Sequence, residues 1–349
     1  MKLGFQGWYL PQPTTGIGQH SLGLLKALAA KPNVELTVVV PQAVKIPGIP
    51  AKHIHVLRPR KSLLHPALQK WFWERIQVPA FFARRKLDWE YYPYPSPLPT
   101  HSPHRRAMTV HDLILWNDAR YQGGRLKTAY HRDSRRALIH VDHIFAVSQS
   151  TQKELGIPVA TLLPNGLPPL PKSFKKLPYQ NDLVYLGGYD LRKRVPELIR
   201  AFLLAHKKNP HRRLLLIGEA HHRSKFYPAL PTHPAVVPLG KLSDAELYST
   251  LKSAFAFVHF SDSEGFNIPL LQAMAVGLPA VVPDLSVNRE LAQDAALYFN
   301  PSSKDPLSAT LKTLDNPTRR TQLIEAAKKR ARDYSWERSA SHFLKALHP

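Results

Sequence analysis

Short apolar runs rich in β-branched residues alternate with amphipathic helical patterns along nearly the whole chain. This alternation limits the fold more than any other feature, because strands that recur between helices pair in parallel and are covered by helices on both faces. We therefore expect an α/β protein, with a first strand that breaks at Trp8–Pro13. The other runs expected to be buried strands are Val34–Val40, Met108–Val110, Ile144–Val147, Leu183–Leu186, Leu214–Ile217, Ala254–Phe260 and Ala280–Val282. The helical patterns between them include Leu22–Ala30, Val195–His206, Asp244–Ser253 and Ile268–Val276.

The chain is long enough for two domains. It has 349 residues, of which 44% are hydrophobic, and this exceeds one domain of ordinary size. The proline-rich stretch Pro164–Pro178 separates two strand-rich halves, so we place the boundary there. Tyr91–Pro103 holds five prolines, cannot be a helix or a central strand, and is expected to be a loop of the first domain. The predicted division is residues 1–168, 169–334 and a C-terminal helix in 335–349 with apolar anchors at Trp336, Phe343 and Leu347.

Composition excludes several kinds of chemistry. The chain has no cysteine, so disulfides, thiolate catalysis and cysteine-ligated zinc or iron–sulfur sites are excluded. No segment approaches the ~18 uninterrupted apolar residues that would span a membrane. Residues 1–13 also lack an apolar run of signal-peptide length. A cytoplasmic protein is therefore the default expectation.

The net charge of +23 and the isoelectric point near 10.2 indicate an anionic partner. A surface this basic attracts nucleic acid, anionic lipid headgroups or phosphorylated substrates, and charge alone does not choose among them. General solubility would explain a modest excess of positive charge but not one of this size.

Residues 51–90 concentrate basic and apolar side chains, with nine Lys/Arg against three acids. Such a stretch could lie on an anionic membrane, at its inner face. Alternatively, its aromatic residues belong to the core and its charges to a solvated face, and the sequence leaves both interpretations open. The apolar residues concerned are Leu63, Leu64, Leu68, Trp71, Phe72, Trp73, Phe81 and Phe82.

The window from Phe260 to Asp284, FSDSEGFNIPLLQAMAVGLPAVVPD, predicts an anion site. A buried strand ends, a short polar loop follows, and a helix begins near residue 267 with Pro269 in its first turn. The first-turn amides of this helix would be unpaired donors at its positive end. Those amides belong to Phe266, Asn267, Ile268 and Leu270. Gly265 would let the backbone approach a bound group, Glu264 would stand at the mouth, and Gln272 would lie two turns further on. An ordinary strand–loop–helix junction with a charged loop residue is the alternative.

This window resembles the E-x7-E region of the large family of retaining glycosyltransferases called family 4, or group 1, where the usual text is close to EGFGLPVLEAMACGVPVV. Further resemblances occur in the same order over nearly the whole chain, more specific in the C-terminal half than in the N-terminal half. They are Gly16-Ile-Gly18, Trp73-Glu74, Val110-His-Asp-Leu113, Ser148–Thr151, Pro164-Asn-Gly166, Leu183–Lys193, Leu214–Glu219, Leu239–Leu247 and, from the end of the window onward, Asp284, Ser286, Asn288, Glu290, Ala295–Leu297 and Asn300-Pro301.

The resemblance implies a GT-B fold, in which two Rossmann-like domains face each other across a cleft and a C-terminal helix crosses back to the first domain. The donor, a GDP- or UDP-sugar, would bind mainly to the second domain, with no metal or other cofactor required. The catalytic residues implied are His111, Arg192, Lys193 and Glu264, with the two cations on the donor diphosphate and His111 near the donor sugar. The donor-binding residues implied are Gly16, Gly18, Gly188, Leu239, Lys241, Gly265, Phe266, Asn267, Ile268, Leu271 and Gln272. Gln272 departs from the family's second glutamate, and we expect weaker bonds to the ribose because an amide carries no charge.

Gly16-Ile-Gly18 is predicted to be a loop before the helix and lacks the third glycine of a dinucleotide fingerprint, so NAD binding is not expected. The sequence has no Asp-x-Asp or His-Glu-x-x-His pattern. The short histidine clusters His101/His104 and His221-His222 are interpreted as surface loops rather than metal sites.

The function expected is retaining transfer of a hexose, with mannose favoured, to a glycan or lipid-linked acceptor in cell-surface polysaccharide synthesis. The alternative is a non-catalytic GT-B relative that binds nucleic acid or an anionic surface, which the charge and Gln272 suggest. The sequence shows no helix-turn-helix, zinc finger or RNP-like motif, so no specific nucleic acid is expected. An epimerase or phosphorylase of the same fold is disfavoured by the order of Arg192-Lys193 before Glu264 and Gln272.

Overall fold

The computed structural model of the protein describes residues 1–62, 65–121, 123–157, 159–168, 170–218 and 230–348. These residues form two compact units, Met1–Gly166 together with Ser335–Pro349, and Leu167–Tyr334. Several residues discussed above lie outside the described residues: Leu63, Leu64, Glu219, His221, His222 and the first residue of the predicted second domain, residue 169.

The first unit is built on a parallel sheet of seven strands within the described residues. Their order is β3-β2-β1-β4-β5-β6-β7, so the direction of strand addition reverses between β1 and β4, as in doubly wound α/β sheets. The strands are β1 Lys2–Gln6, β2 Glu35–Val40, β3 Ile54–Val56, β4 Trp89–Tyr92, β5 Arg105–Val110, β6 His143–Ala146 and β7 Thr161–Leu162.

The prediction for Tyr91–Pro103 is wrong at its first two residues. Tyr91 and Tyr92 end β4, which pairs with both β1 and β5 and is therefore a central strand. Both tyrosines are fully buried, and the prolines begin only after the strand has ended. Proline content excluded a strand for the rest of the stretch but carried no information about the residues before Pro93.

The helices of the first unit are α1 Gly16–Ala29, α2 Pro66–Phe72, α3 Val78–Ala83, α4 Ile114–Asn117, α5 Arg125–Arg136 and α6 Gln149–Leu155. Helix α1 begins earlier than predicted, because Thr15 Oγ1 accepts a hydrogen bond from the amide of Gly18 and caps the first turn. Gly16 and Gly18 therefore lie in a helix and not in a loop. A Cβ at Gly18 would lie 2.0 Å from the carbonyl oxygen of Gln12, so close approach to the capping turn explains that glycine.

The second unit has the same plan, with six parallel strands in the described residues in the order β10-β9-β8-β11-β12-β13. The reversal falls between β8 and β11. The strands are β8 Leu183–Leu186, β9 Leu214–Ile217, β10 Val236–Gly240, β11 Ala256–Val258, β12 Ala280–Pro283 and β13 Leu297–Phe299. The helices are α7 Val195–His206, α8 Asp244–Ser253, α9 Ile268–Ala275, α10 Ser286–Ala292, α11 Ser308–Leu314 and α12 Pro317–Ala331.

Two helix ends of the second unit lie at the capping residues that the sequence predicts. The capping box of Ser243 and Glu246 is present at the start of α8. Gly277, with φ +73°, follows the end of α9 in the left-handed conformation that glycine adopts without cost. The predicted bounds of α7 and α8 are confirmed.

The last helix, α13 Trp336–Leu347, packs in the core of the first unit. The rings of Phe343 and Tyr91 lie 4.8 Å apart, and the Trp336 ring lies against α1 at Gly23. A Cβ on Gly23 would lie 2.0 Å from Cε2 of Trp336, so this contact requires glycine on α1. Within the described residues, no helix combines the length and the apolar character needed to cross a membrane.

Candidate active site

Arg192, Lys193 and Glu264 meet at the carboxyl edge of the second sheet. Arg192 and Lys193 follow β8, and Glu264 follows β11, the neighbouring strands between which the order reverses. Arg192 Nη1 donates to Glu264 Oε2 at 2.7 Å, and Lys193 Nζ donates to Glu264 Oε1 at 2.5 Å. Parallel α/β sheets bind ligands at such a reversal. The structure thus brings together three of the four residues predicted to be catalytic.

This cluster is largely removed from water, with side-chain exposures of 20% for Arg192, 8% for Lys193 and 6% for Glu264. Burial raises the pKa of Glu264, but the charges of Arg192 and Lys193 outweigh burial and hold that pKa well below its usual range. Burial and the charge of Arg192 lower the pKa of Lys193, while Glu264 opposes the shift. Glu264 is therefore a carboxylate at neutral pH and has no proton to donate.

Arg194 fixes the turn that carries the two cations. It adopts a left-handed conformation, φ 47°, between the 3₁₀ turn Leu191–Lys193 and α7. Its guanidinium pairs with Asp262 at 3.2 Å, and the amide of Asp262 donates to the carbonyl of Arg192 at 2.8 Å. The loop after β8 and the loop after β11 are thereby joined through both side chains and backbone.

The start of α9 differs in part from the predicted anion site. Asn267 is the N-cap, with φ 69°, and its Oδ1 accepts from the amide of Leu270 at 3.3 Å. Leu270 is therefore not an unpaired donor, and this part of the prediction is wrong. Asn267 Nδ2 also donates to Asn288 Oδ1 at 2.8 Å, which holds the cap in place. The other residues predicted here, Phe266, Ile268 and Leu271, have buried side chains, while Gly265 precedes them in the loop.

Gln272 lies buried on α9, and its Nε2 donates to Tyr248 Oη on α8 at 3.3 Å. Tyr248 was not identified from the sequence, because a tyrosine on an amphipathic helix carries no signal of function. Burial raises the pKa of this phenol, so it remains a neutral hydroxyl. Gln272 and Tyr248 form a neutral polar pair between two helices.

The remaining predicted donor-binding residues of the second unit lie after β8 and at the end of β10. Gly188 accepts a hydrogen bond from Tyr185 Oη at 2.5 Å through its carbonyl oxygen. Leu239 lies within β10, and Lys241 follows the strand with an exposed side chain. A register shift between Pro238 and Gly240 marks this strand end.

His111 lies in the first unit, directly after β5. Its Nε2 donates to the carbonyl oxygen of Pro93 at 2.8 Å, and its ring packs edge-on against His20 at 4.7 Å. Burial lowers the pKa of His111, so the ring is neutral at pH 7. His20, which the sequence analysis did not single out, is fully buried and bonded to Asn165 and Tyr91.

His259 is a second residue that sequence reasoning missed. It follows β11 at zero exposure, and its Nε2 lies 3.3 Å from Glu264 Oε1. The signal was available, since a histidine stands inside the apolar run Ala254–Phe260 that predicts a buried strand. Among the described residues there is no cluster of three or more metal-ligating side chains, and the predicted pair His221-His222 lies outside them.

Comparison with known proteins finds similarity to glycosyltransferases. Over 99% of both chains, the protein is 26% identical to O-antigen chain mannosyltransferase B of Escherichia coli. WaaG, a glycosyltransferase involved in lipopolysaccharide biosynthesis, aligns over 99% of this chain and 98% of its own with a TM-score of 0.72 and 17% identity. The Anabaena protein HepE in complex with UDP and glucose aligns over 99% of both chains with a TM-score of 0.72 and 15% identity.

The two parallel sheets and these matches define a glycosyltransferase of the GT-B fold. More particularly, residues 170–330 match the family described as glycosyl transferases group 1. The matched range contains Arg192, Lys193, Glu264 and Gln272.

Proposed function

We propose that the protein transfers a hexose, with mannose favoured, from a nucleoside-diphosphate sugar to a glycan or lipid-linked acceptor with retention of configuration. The observation that carries the proposal is the convergence of Arg192 and Lys193 on Glu264 at the strand-order reversal of the second sheet. Two relatives support the proposal that the acceptor belongs to cell-surface polysaccharide synthesis: an O-antigen chain mannosyltransferase and a phosphatidyl-myo-inositol mannosyltransferase.

The chemistry requires stabilisation of a leaving diphosphate. Negative charge develops on the diphosphate as the glycosidic bond breaks, and preorganised cations lower the barrier by meeting that charge. Arg192 and Lys193 supply two cations, and the N-terminal end of α9 supplies a positive dipole. In our proposal these groups carry the charge that a bound metal ion carries in other transferases, so no metal is required.

Glu264 stays ionised in this scheme and lies near the donor sugar, where a carboxylate stabilises an oxocarbenium-like state. The departing phosphate takes the acceptor's proton on the same face of the sugar, which gives retention. His111 contacts the sugar from the first unit as a neutral ring whose Nε2 proton is engaged by Pro93. Gly16 and Gly18 lie in the first turn of α1, and our proposal assigns them to the diphosphate and the acceptor.

The donor nucleotide binds the remaining predicted residues of the second unit. Gln272 bonds the ribose through its carbonyl oxygen, because its amide nitrogen is directed to Tyr248. Gly188 and Gly265 allow the backbone to approach the nucleotide closely. Leu239 and Lys241 lie beside its nucleobase. HepE is described with UDP and two of the relatives are named mannosyltransferases, so both UDP- and GDP-sugars are candidate donors in our proposal.

A basic and apolar surface of the first unit is the proposed contact with an anionic membrane. Within residues 51–90, Trp73 and Phe82 are fully buried, which fits the core interpretation for these two aromatics. Leu68 on α2 and Leu126 on α5 are exposed by 37% and 42%. Helix α5, RLKTAYHRDSRR, carries five Lys/Arg against one acid, and only Ser134 is buried. Co-flotation with anionic liposomes at low salt tests this contact, and absence of binding would exclude it.

A non-catalytic relative is the alternative function, since Gln272 replaces a charged ribose partner. Thermal unfolding in the presence of UDP, GDP or ADP tests donor binding, because a ligand bound only to the folded state raises its stability. Slow hydrolysis of the matching nucleotide-sugar, unchanged by a chelator, then separates a metal-independent transferase from an inert binder. Stabilisation without any donor turnover would support the alternative. No stabilisation by any nucleotide would overturn the proposed site.

A further inference from the structure

His259 occupies an unusual position beside the cluster of Arg192, Lys193 and Glu264. The ring has zero exposure and lies nearly parallel to the rings of Tyr185 and Phe257, at 6.1 and 6.0 Å. Within the described part of the chain, neither ring nitrogen makes a hydrogen bond of good geometry. A buried polar group without a partner is costly, and its persistence calls for a role.

Glu264 Oε1 lies 3.3 Å from His259 Nε2 and is a possible partner for it. That distance is within reach of a hydrogen bond, but the two groups are not aligned for one. The same oxygen accepts from Lys193 Nζ at 2.5 Å, and the other oxygen accepts from Arg192. The two cations therefore supply hydrogen bonds to both carboxylate oxygens of Glu264, while His259 lies beside the carboxylate without an aligned hydrogen bond to it.

If the proposed function holds, binding of a sugar donor changes which groups donate hydrogen bonds to Glu264. A diphosphate attracts Arg192 and Lys193, and each bond that they turn toward phosphate is withdrawn from Glu264. The carboxylate is only 6% exposed, so water cannot replace those donors. A buried carboxylate left without donors is destabilised strongly and would take up a proton.

We infer that His259 is a positioning residue that donates from Nε2 to Glu264 when the donor diphosphate engages Arg192 and Lys193. A neutral imidazole with its proton on Nε2 makes this bond after a small rotation of either group. His259 thereby keeps Glu264 ionised and fixed beside the sugar during the reaction. The inference rests on the proposed function and adds a residue to it.

The groups around His259 favour a neutral imidazole as the hydrogen-bond donor to Glu264. Burial lowers the pKa of His259, and Lys193 and Arg192 add to the effect, while Glu264 opposes it. The other ionisable groups facing the cluster are Asp190, whose carboxylate lies 3.6 Å from Arg192 Nε, and Tyr185, whose pKa is raised by burial. The phenol of Tyr185 therefore stays neutral at pH 7, and Glu264 is the group whose protonation depends on its hydrogen-bond donors.

Three variants separate the role of Nε2 from that of the ring. His259→Phe keeps the stacked ring without any donor. In His259→Gln the amide nitrogen reaches the position of Nε2, whereas in His259→Asn it reaches only the position of Nδ1. Thermal unfolding of each variant without ligand controls for folding.

The test is isothermal titration with UDP or GDP, whichever binds the wild-type protein, in two buffers of different ionisation enthalpy. We expect His259→Phe and His259→Asn to bind about tenfold or more weakly, the scale of one hydrogen bond to a charged group. They should also take up a proton on binding, so that affinity rises as pH falls, because the pKa of Glu264 becomes higher in the complex than in the free protein. Wild type and His259→Gln should bind without proton uptake.

The outcomes are distinct. If wild type binds nucleotide and all three variants bind equally well with no proton uptake, His259 has no positioning role and the donor site stands. If His259→Gln behaves like His259→Phe, Nε2 donation is refuted. If wild type binds neither UDP nor GDP, the proposed function fails together with the inference.

Discussion

Lys193 and Glu264 form a buried ion pair of 2.5 Å between the loops that follow two adjacent strands, β8 and β11. Breaking such a pair leaves an uncompensated charge in a poorly solvated place. We expect Glu264→Gln to lower the free energy of unfolding of the second unit by about 3 kcal/mol at pH 7. Urea unfolding measures this loss, with Glu197→Gln, on the exposed face of α7, as the control for removal of a carboxylate.

The stability difference between wild type and Glu264→Gln should depend on pH with a defined sign. The pKa of Glu264 is depressed in the folded protein, so its contribution is complete above the ordinary value of 4.5 and is lost below it. Between the unfolded and folded pKa values the difference should shrink by about 1.4 kcal/mol per pH unit. A difference that grew on acidification would contradict this assignment.

Removal of either cation should slow turnover in protein that is still folded, even though Glu264 loses one ion-pair partner. We expect Arg192→Ala and Lys193→Ala each to reduce the rate of sugar transfer or donor hydrolysis by about 10²-fold, because each removes one preorganised charge partner of the leaving group. Arg200→Ala is the matched control, since Arg200 is 66% exposed on α7 and its ion pair with Glu197 is long, at 3.9 Å. Steady-state kinetics decide the question, and wild-type rates in both site variants would rule out the site.

The left-handed conformation of Arg194 can be tested by stability. A β-branched residue at φ 47° is strained, whereas glycine is not, so Arg194→Val should be less stable than Arg194→Gly by about 1–2 kcal/mol. Both variants lose the ion pair with Asp262, which makes them a matched comparison. Chemical unfolding measures the difference, and equal stability of the two variants would show that the turn has relaxed.

Gln272→Glu should strengthen binding of a nucleoside diphosphate, because a carboxylate makes charge-assisted bonds to ribose hydroxyls. We expect affinity to rise about fivefold, the equivalent of ~1 kcal/mol. Inorganic pyrophosphate lacks a ribose, so its affinity should remain unchanged and serves as the internal control. A parallel change for both ligands would indicate a general effect of charge rather than a ribose contact.

Gly23→Ala should destabilise the first unit even though alanine favours a helix over glycine by about 1 kcal/mol. The added Cβ would lie 2.0 Å from the Trp336 ring, and α13 would have to shift. Gly16→Ala, in the first turn of the same helix, meets no atom within 4 Å and is the control for helix propensity. In thermal unfolding, the Tm of Gly23→Ala should fall below that of wild type, and the Tm of Gly16→Ala should rise above it.

Much of this architecture could be predicted because hydrophobic periodicity is a local property. The bounds of β8, β9, α7 and α8 follow from runs whose burial is continuous or strictly periodic. Strand β4 was missed because its four residues, WEYY, contain a glutamate that is buried through bonds to Tyr92 and Ser102. Such compensation depends on residues distant in sequence and leaves no pattern.

The site was predictable to the extent that it resembles a family, and its local conformation was not. Arg192, Lys193 and Glu264 came from motif order, whereas the ion pairs that join them depend on the adjacency of β8 and β11. The left-handed φ of Arg194 and Asn267 could not be expected from residue type alone. His259 was overlooked because it was counted as part of an apolar strand.

The position of α13 has a consequence for biosynthesis. The ribosome completes Leu167–Tyr334 before it reaches Trp336, Phe343 and Leu347, yet those three side chains fill the core of the unit that begins at Met1. Domains ordinarily fold in the order in which they emerge. Here the nascent N-terminal half must stay incomplete, with the apolar surface around Tyr91 and Gly23 exposed to chaperones, until the final helix of this unit has been translated.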